Sequence, residues 1–304
     1  MMKKHIYLSW AKSNNIDFFN FGDDIGPYIV GKLSGLEVRH IAFPSNRFKS
    51  IIDYMRTIKS DKFSYNRLIN FIKSFFVKEY LLTCGSILQW YSSSRAIVWG
   101  AGIIDSKNEL FPAKKYLAVR GKYSHEKIKK FNLNKSIAYG DPALLISRIY
   151  EPKVQIKYRL GIIAHYIHNE YFENLNLPDD VLLIKLDSSK TEKIIDDICS
   201  CQHTISTSLH GVIVSHAYKI KSLWYKIEEK PLFGDNIKFL DYFSSVNIPE
   251  YKPFPFVFED EFSSEKNIKN VVNNEDINLP NLDLKFVQDK LLDCAPFKIK
   301  NIYR

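Results

Sequence analysis

Apolar positions along this chain follow two rhythms. Short unbroken runs end in glycine or a polar residue, and longer stretches repeat apolar residues every three or four positions. The runs predict buried strands and the stretches predict amphipathic helices. "KHIYLSW" (4–10) reads as a strand, and "DDIGPYIVGKLSG" (23–35) as a helix closed by Gly35. "EVRHIAF" (37–43) is the next strand, and residues 62–78 carry helical spacing. "EYLLTCGSIL", "AIVWGAG" and "KYLAVRG" are strands ending in polar or glycine positions, "SHEKIKKFNL" is a helix, and "SIAYGDPALL" closes the first half. The charged, proline-bearing "YEPKVQIKY" (150–158) is the best linker candidate. Alternation then resumes: "RLGIIAHYI", "DVLLIKL", "HTISTS" and "KSLWYKI" as strands, with "KTEKIIDDICSC", "GVIVSHAYKI" and "IKFLDYFSSV" as helices. From about residue 251 the pattern loosens into polar, proline-broken loop until a final helix, "KFVQDKLLDCA". Strand–helix alternation in both halves predicts two doubly wound α/β domains, 1–150 and 151–304, with ligands beyond the carboxyl ends of the strands.

Composition narrows the classes. A hydrophobic fraction of 45% over 304 residues supplies a real core and argues against disorder. No apolar run approaches the roughly 18–20 residues that cross a bilayer. The opening "MMKKHIYLSWAKSNN" has no apolar stretch of leader length, so no signal peptide is expected. Four irregularly spaced cysteines (Cys84, Cys199, Cys201, Cys294) form no disulfide framework and fit a reducing cytoplasm. They lack a second pair at zinc spacing, so no metal is expected. The formal charge of +9 admits nucleic acid, anionic membrane surfaces or anionic substrates. No nucleic-acid signature accompanies the lysines, while the tail "FKIKNIYR" is suited to touching a membrane surface.

Notable polar residues fall just after the predicted strands. In "FNFGDDIG" (19–26), Asn20 and Asp23 suit a helix cap, and Asp23 or Asp24 equally suits hydrogen bonding to sugar hydroxyls or proton removal from one. Gly100 and Gly102 of "VWGAGI" mark a strand-to-helix turn without the full dinucleotide fingerprint, which disfavours NAD. Arg120 ends a strand, where its planar fork fits a carboxylate, a phosphate or a structural salt bridge. Asp141 before Pro142 reads as a turn and cap. His165 follows a strand, with a structural and a functional role both open. "TSLHG" sets Ser208 as a cap, Leu209 and His210 at the first turn, and Gly211 where the helix packs closely. A helix N-terminus with free amides is a ready anion site, and a bound phosphate would favour protonated His210.

This ordered set resembles the polysaccharide pyruvyltransferase family, closest to its exopolysaccharide ketal-pyruvate members. The resemblance spans roughly residues 16–250 and rests on "NFGDDIGPYIVGKLSG", "GSILQW", "VWGAGI", "VRGKYS", "YGDPALLI", "GIIAHY", "TSLHGVIVSHAYKIKSLW" and "IKFLDYFSS". It implies two Rossmann-like domains arranged as in GT-B glycosyltransferases, with the active site in the interdomain cleft. It further implies phosphoenolpyruvate as donor, a cell-surface or capsular glycan sugar as acceptor, and no resident cofactor. The family's functional histidine falls on His210 and its strand-end arginine on Arg120. Ser208 stands where some members carry arginine, and Lys122 where proline is common, so one donor-binding charge is missing or comes from elsewhere.

The expected mechanism places the donor carboxylate on Arg120 and its phosphate at Ser208–Gly211, near the Gly100 and Gly102 turn. His210 acts as acid, and two sugar hydroxyls then attack carbon 2, closing a cyclic ketal. Asp23 or Asp24 with Asn20, or His165, orients the acceptor or takes its proton. The expected location is the cytoplasm, peripheral to a membrane if the acceptor is lipid-linked. Loops 44–62 and 104–113 are expected to choose the sugar. Two rivals stand beside this reading. One is a glycosyltransferase using a nucleotide-sugar, with Asp187 on the ribose; the other is a non-catalytic glycan-binding relative.

Overall fold

The computed structural model describes residues 5–11, 20–42, 51–52, 54–56, 65–131, 136–187, 190–256 and 263–304. Most of the loop 44–62 singled out for acceptor choice lies outside them. The described chain is α/β, with two parallel sheets and helices packed on them.

The first sheet contains β1 (His5–Leu8), β2 (Glu37–His40), β3 (Tyr80–Leu82), β4 (Ala96–Trp99), β5 (Lys115–Val119) and β6 (Ala138–Tyr139). Their spatial order is β2-β1-β3-β4-β5-β6, and every pairing is parallel. The second sheet contains β7 (Tyr158–Ala164), β8 (Val181–Lys185), β9 (Cys201–Ser206), β10 (Lys221–Lys226) and β11 (Phe254–Pro255). It runs β11-β10-β9-β7-β8, again all parallel. The longer helices are α1 (Phe21–Ser34), α2 (Tyr65–Phe76), α3 (Lys122–Lys129), α4 (Thr191–Cys199), α5 (Leu209–Ala217), α6 (Ile237–Ser245), α7 (Ser263–Asn273) and α8 (Leu284–Asp293).

Local sequence explains these elements. In α1, Phe21, Ile25, Ile29, Val30 and Leu33 recur at helical spacing and are all buried. Asn20 caps its start, its side chain accepting from the Gly22 amide, and Gly35 closes it at φ 69°. Helix α5 is buried along its whole length, which matches its nearly uniform apolar sequence. One apolar cluster joins Ile25, Ile29 and Leu33 of α1 with Leu144 and Leu145, and with Val212, Ile213 and Val214 of α5. The chain's end returns to the first sheet: the Trp99 indole donates to the Leu291 carbonyl at 2.9 Å, and the Lys300 amide to that of Leu33 at 2.9 Å.

Two local expectations change. The stretch after residue 251, expected as loop, contains α7, whose buried face, Ser263, Ser264, Asn267, Ile268 and Val271, is apolar only at its last two positions. The strand expected at 203–208 runs Cys201–Ser206, and α5, expected from Gly211, starts at Leu209, with His210 in its first turn as expected.

Candidate active site

Strand order reverses between β1 and β3 in one sheet and between β7 and β9 in the other. At such reversals the flanking crossovers run to opposite faces, leaving a crevice beyond the carboxyl ends. His165 follows β7 and His210 follows β9, so both flank the second reversal. Gly100, Arg120 and Asp141 follow β4, β5 and β6.

His210 is 7% exposed, and its Nε2 has no hydrogen-bond partner among the described residues. The Asp141 carboxylate, fully buried, lies 3.9 Å from it, and its Oδ2 is likewise without a partner. The other oxygen, Oδ1, accepts from the Ala143 amide and caps the turn, as the sequence predicts. Gly22 of α1 presses on the opposite side of the imidazole: a Cβ there would sit 2.6 Å from His210 Nδ1. Burial pushes the His210 pKa down; Asp141 opposes this, while Arg120 and Lys238 add to it. Burial thus disfavours the protonated imidazole, and a bound anion would favour it.

Ser208 occupies the cap position of α5 but makes no capping hydrogen bond with its side chain. Ser206 Oγ does the local work instead, accepting from the Ser208 amide at 3.0 Å. Gly211 is required by packing, since a Cβ would fall 2.3 Å from Ser206 Oγ. Leu209 is buried in the core.

Arg120 is fully buried. Its Nε donates to Asp241 Oδ2 at 3.0 Å, Nη1 to Ser86 Oγ at 2.7 Å and Nη2 to the Ile103 carbonyl at 2.6 Å. Three of its five N–H groups are thus engaged. Gly102 makes room for the guanidinium, since a Cβ there would meet Cζ at 2.3 Å. Gly100 adopts φ +90° against Pro142, with no space for a side chain.

Asn20 holds Asp23, its Nδ2 donating to Oδ2 at 2.6 Å, while Trp10 donates to Asp24 at 3.2 Å. Burial is the main cause raising the Asp23 pKa to about 7; Asp24 adds to it, while Asn20 and Lys238 oppose it. Asp23 is therefore suited to exchange a proton near neutrality. His165 caps a helical turn through Nδ1, and burial lowers its pKa to about 3, with Lys238, His168 and His210 contributing. It is neutral in the physiological range, and because its protonated form is disfavoured it suits hydrogen bonding rather than taking up a proton. Its neighbour His168 is fixed by Thr207 Oγ1 at 2.9 Å and the Lys230 carbonyl at 2.7 Å. Asp187, the candidate ribose ligand, is exposed and accepts from Asn169.

The field of Lys238 acts on Asp23, His165, His168 and His210, and that of Arg120 acts on Lys238 and His210. Residues from both halves thus form one electrostatic cluster. Sequence reasoning missed three members: Lys238, Asp241 and the free oxygen of Asp141. The first two lie in "IKFLDYFSS", whose spacing of three puts them on one helical face, a signal that was available. A cavity of about 1110 Å³ lies elsewhere, at the amino ends of β1, β3 and β4, and is lined by Tyr80, Phe297 and Ile299 among others. Volume does not select it as the reaction site, because in parallel sheets the polar loop ends converge at the opposite edge.

The chain is 28% identical over 201 residues to the uncharacterized protein L143 of Acanthamoeba polyphaga mimivirus, covering 64% of this chain and 67% of that protein. The model of the family described as "Polysaccharide pyruvyl transferase" matches residues 42–229, more than half of the chain. That coverage shows that this protein belongs to the polysaccharide pyruvyl transferase family.

Proposed function

We propose that the protein transfers the enolpyruvyl group of phosphoenolpyruvate to two hydroxyls of a glycan sugar, forming a cyclic pyruvate ketal and releasing phosphate. The observation that carries this reading is the buried, unpartnered Nε2 of His210 at the uncapped start of α5, in a chain of this family. The reaction is assigned to a cleft between an acceptor-side half (1–150) and a donor-side half (151–304). Phosphoenolpyruvate is a co-substrate in this scheme, no resident cofactor takes part, and the enzyme works in the cytoplasm.

In the proposed cycle, the unengaged N–H groups of Arg120 hold the donor carboxylate. The amides of Leu209, His210 and Gly211 receive its phosphate, whose charge raises the His210 pKa and loads the ring with a proton. His210 delivers that proton to the methylene carbon, leaving carbon 2 electrophilic. One sugar hydroxyl adds to carbon 2 and loses its proton to Asp23. Phosphate then departs with its bonding electrons, and the second hydroxyl adds and loses its proton. Two protons leave the hydroxyls; one replaces that given to the new methyl group and the other leaves with phosphate. Asn20 and Asp24 orient the acceptor, with neutral His165 hydrogen-bonding one of its hydroxyls.

The direct test is incubation with phosphoenolpyruvate and a panel of sugar acceptors. The expected result is a mass gain equal to a pyruvate ketal, with one phosphate released per ketal. Phosphoenolpyruvate left unconsumed with every acceptor, while a uridine or guanosine diphosphate sugar stabilises the fold, would overturn it in favour of sugar transfer.

A further inference from the structure

The cavity of about 1110 Å³ at the amino edge of the first sheet plays no part in the proposed reaction. It opens between the starts of β1, β3 and β4 and the returning C-terminal segment 296–301. Its lining is mainly apolar, and Ile6, Leu36, Ile97 and Phe297 are left only half-buried by the protein itself. The wall made by the C-terminal segment is anchored: the Phe297 ring packs edge-on to Trp99 at 5.3 Å, and the Lys300 amide donates to the Leu33 carbonyl. A fixed apolar concavity of this size gains by burying an apolar ligand.

The charge around it has one sign. Lys78, Lys114, Lys298 and Lys300 belong to the lining, whose one carboxylate among the described residues is Glu79. Lys114 pairs with that carboxylate, which leaves Lys78, Lys298 and Lys300 in excess, all exposed. A side chain at Gly35 would collide with the Lys300 stem, so the glycine lets that stem pack on the end of α1. Phe76 and Ile302, next in sequence to the lining residues Val77 and Asn301, are large apolar side chains left exposed.

An apolar hollow with a cationic rim is complementary to an amphiphile that is apolar at one end and anionic at the other. A peptide fits it poorly, because its backbone amides would need polar partners that a mainly apolar lining does not offer. We propose that this cavity takes an acyl chain of an anionic membrane lipid, with the lipid phosphate among Lys78, Lys298 and Lys300. The protein would then rest on a membrane surface by the sheet edge opposite its strand-end cluster. The site does not depend on the identity of the donor or on pyruvyl transfer.

The test follows the melting temperature of the full chain during titration with short-chain phosphatidylglycerol below its micelle concentration, and with glycerol phosphate as the head group alone. The lipid should stabilise the protein and glycerol phosphate should not. Lys78→Gln together with Lys298→Gln should weaken the apparent lipid affinity about 25-fold, about fivefold for each lysine. Leu36→Trp, which fills the cavity and keeps every lysine, should abolish the stabilisation; Ile6→Phe serves the same purpose if that variant does not fold. In flotation, the parent should rise with vesicles of phosphatidylglycerol and phosphatidylcholine in equal parts and not with phosphatidylcholine alone. No stabilisation of the parent by the lipid, or equal stabilisation by glycerol phosphate, would overturn the site. So would undiminished lipid stabilisation in a folded cavity-filling variant, which would reduce the lysines to a charged surface. Equal flotation with both kinds of vesicle would overturn the assignment of an anionic head group.

Discussion

Arg120 and His210 are both buried polar residues just beyond a parallel strand, one in each half, yet their surroundings differ. Arg120 is tied to Asp241, Ser86 and Ile103. His210 has an unpartnered Nε2, with an unpartnered Asp141 oxygen 3.9 Å away. A satisfied buried ion pair rigidifies what it joins, and removing one partner strands the other charge. An unsatisfied buried imidazole adds nothing comparable to stability and stays ready to react. The comparison separates a residue whose loss should harm the fold from one whose loss should harm the chemistry.

The sharpest break of the comparison is His210→Ala. It should lower turnover of phosphoenolpyruvate by about 100- to 10,000-fold, as for a lost general acid, while circular dichroism and melting stay near those of the parent. Arg120→Met should do the opposite first. Leaving Asp241 buried without its partner should cost about 3–5 kcal/mol in denaturant unfolding. Adding Asp241→Leu should recover much of that stability, and activity that stays lost would show that Arg120 also meets the donor. Gly22→Ala is milder. Its methyl group would lie 2.6 Å from His210 Nδ1, so the ring must shift; the expected result is reduced turnover with a stability loss of about 1–3 kcal/mol.

The smallest effect concerns Asp23. Its folded pKa of about 7 stands above the ordinary carboxylate value, so the folded state binds the proton more tightly than the unfolded one. That contribution is fully present below about pH 4 and is lost as pH rises through about 7. Asp23→Asn should therefore flatten the melting-temperature profile between those limits and melt a few degrees higher than the parent at pH 8. Its activity profile should lose the limb near pH 7. A profile unchanged by the substitution would remove Asp23 from the proton path.

Much of this was legible in the chain. Asn20 caps α1, Gly35 ends it and Asp141 caps its turn, because capping depends on residues within a few positions of each other. Helix α7 was missed because a single pair of buried apolar residues, Ile268 and Val271, is too brief to show a period. Lys122, which stands where the family commonly has proline, is exposed, whereas Lys238 is only 8% exposed. Lysine looks the same in sequence whether its head is in water or under a helix.

What the sequence determined by itself was the alternation of strands and helices, their approximate limits and the polar residues at the strand ends, since local burial leaves a local period. The tertiary structure decided which of those polar residues meet. Arg120 with Asp241 and Asp141 with His210 are separated by 121 and 69 positions. Such pairings depend on how two sheets and their helices pack in space, which no short-range pattern encodes.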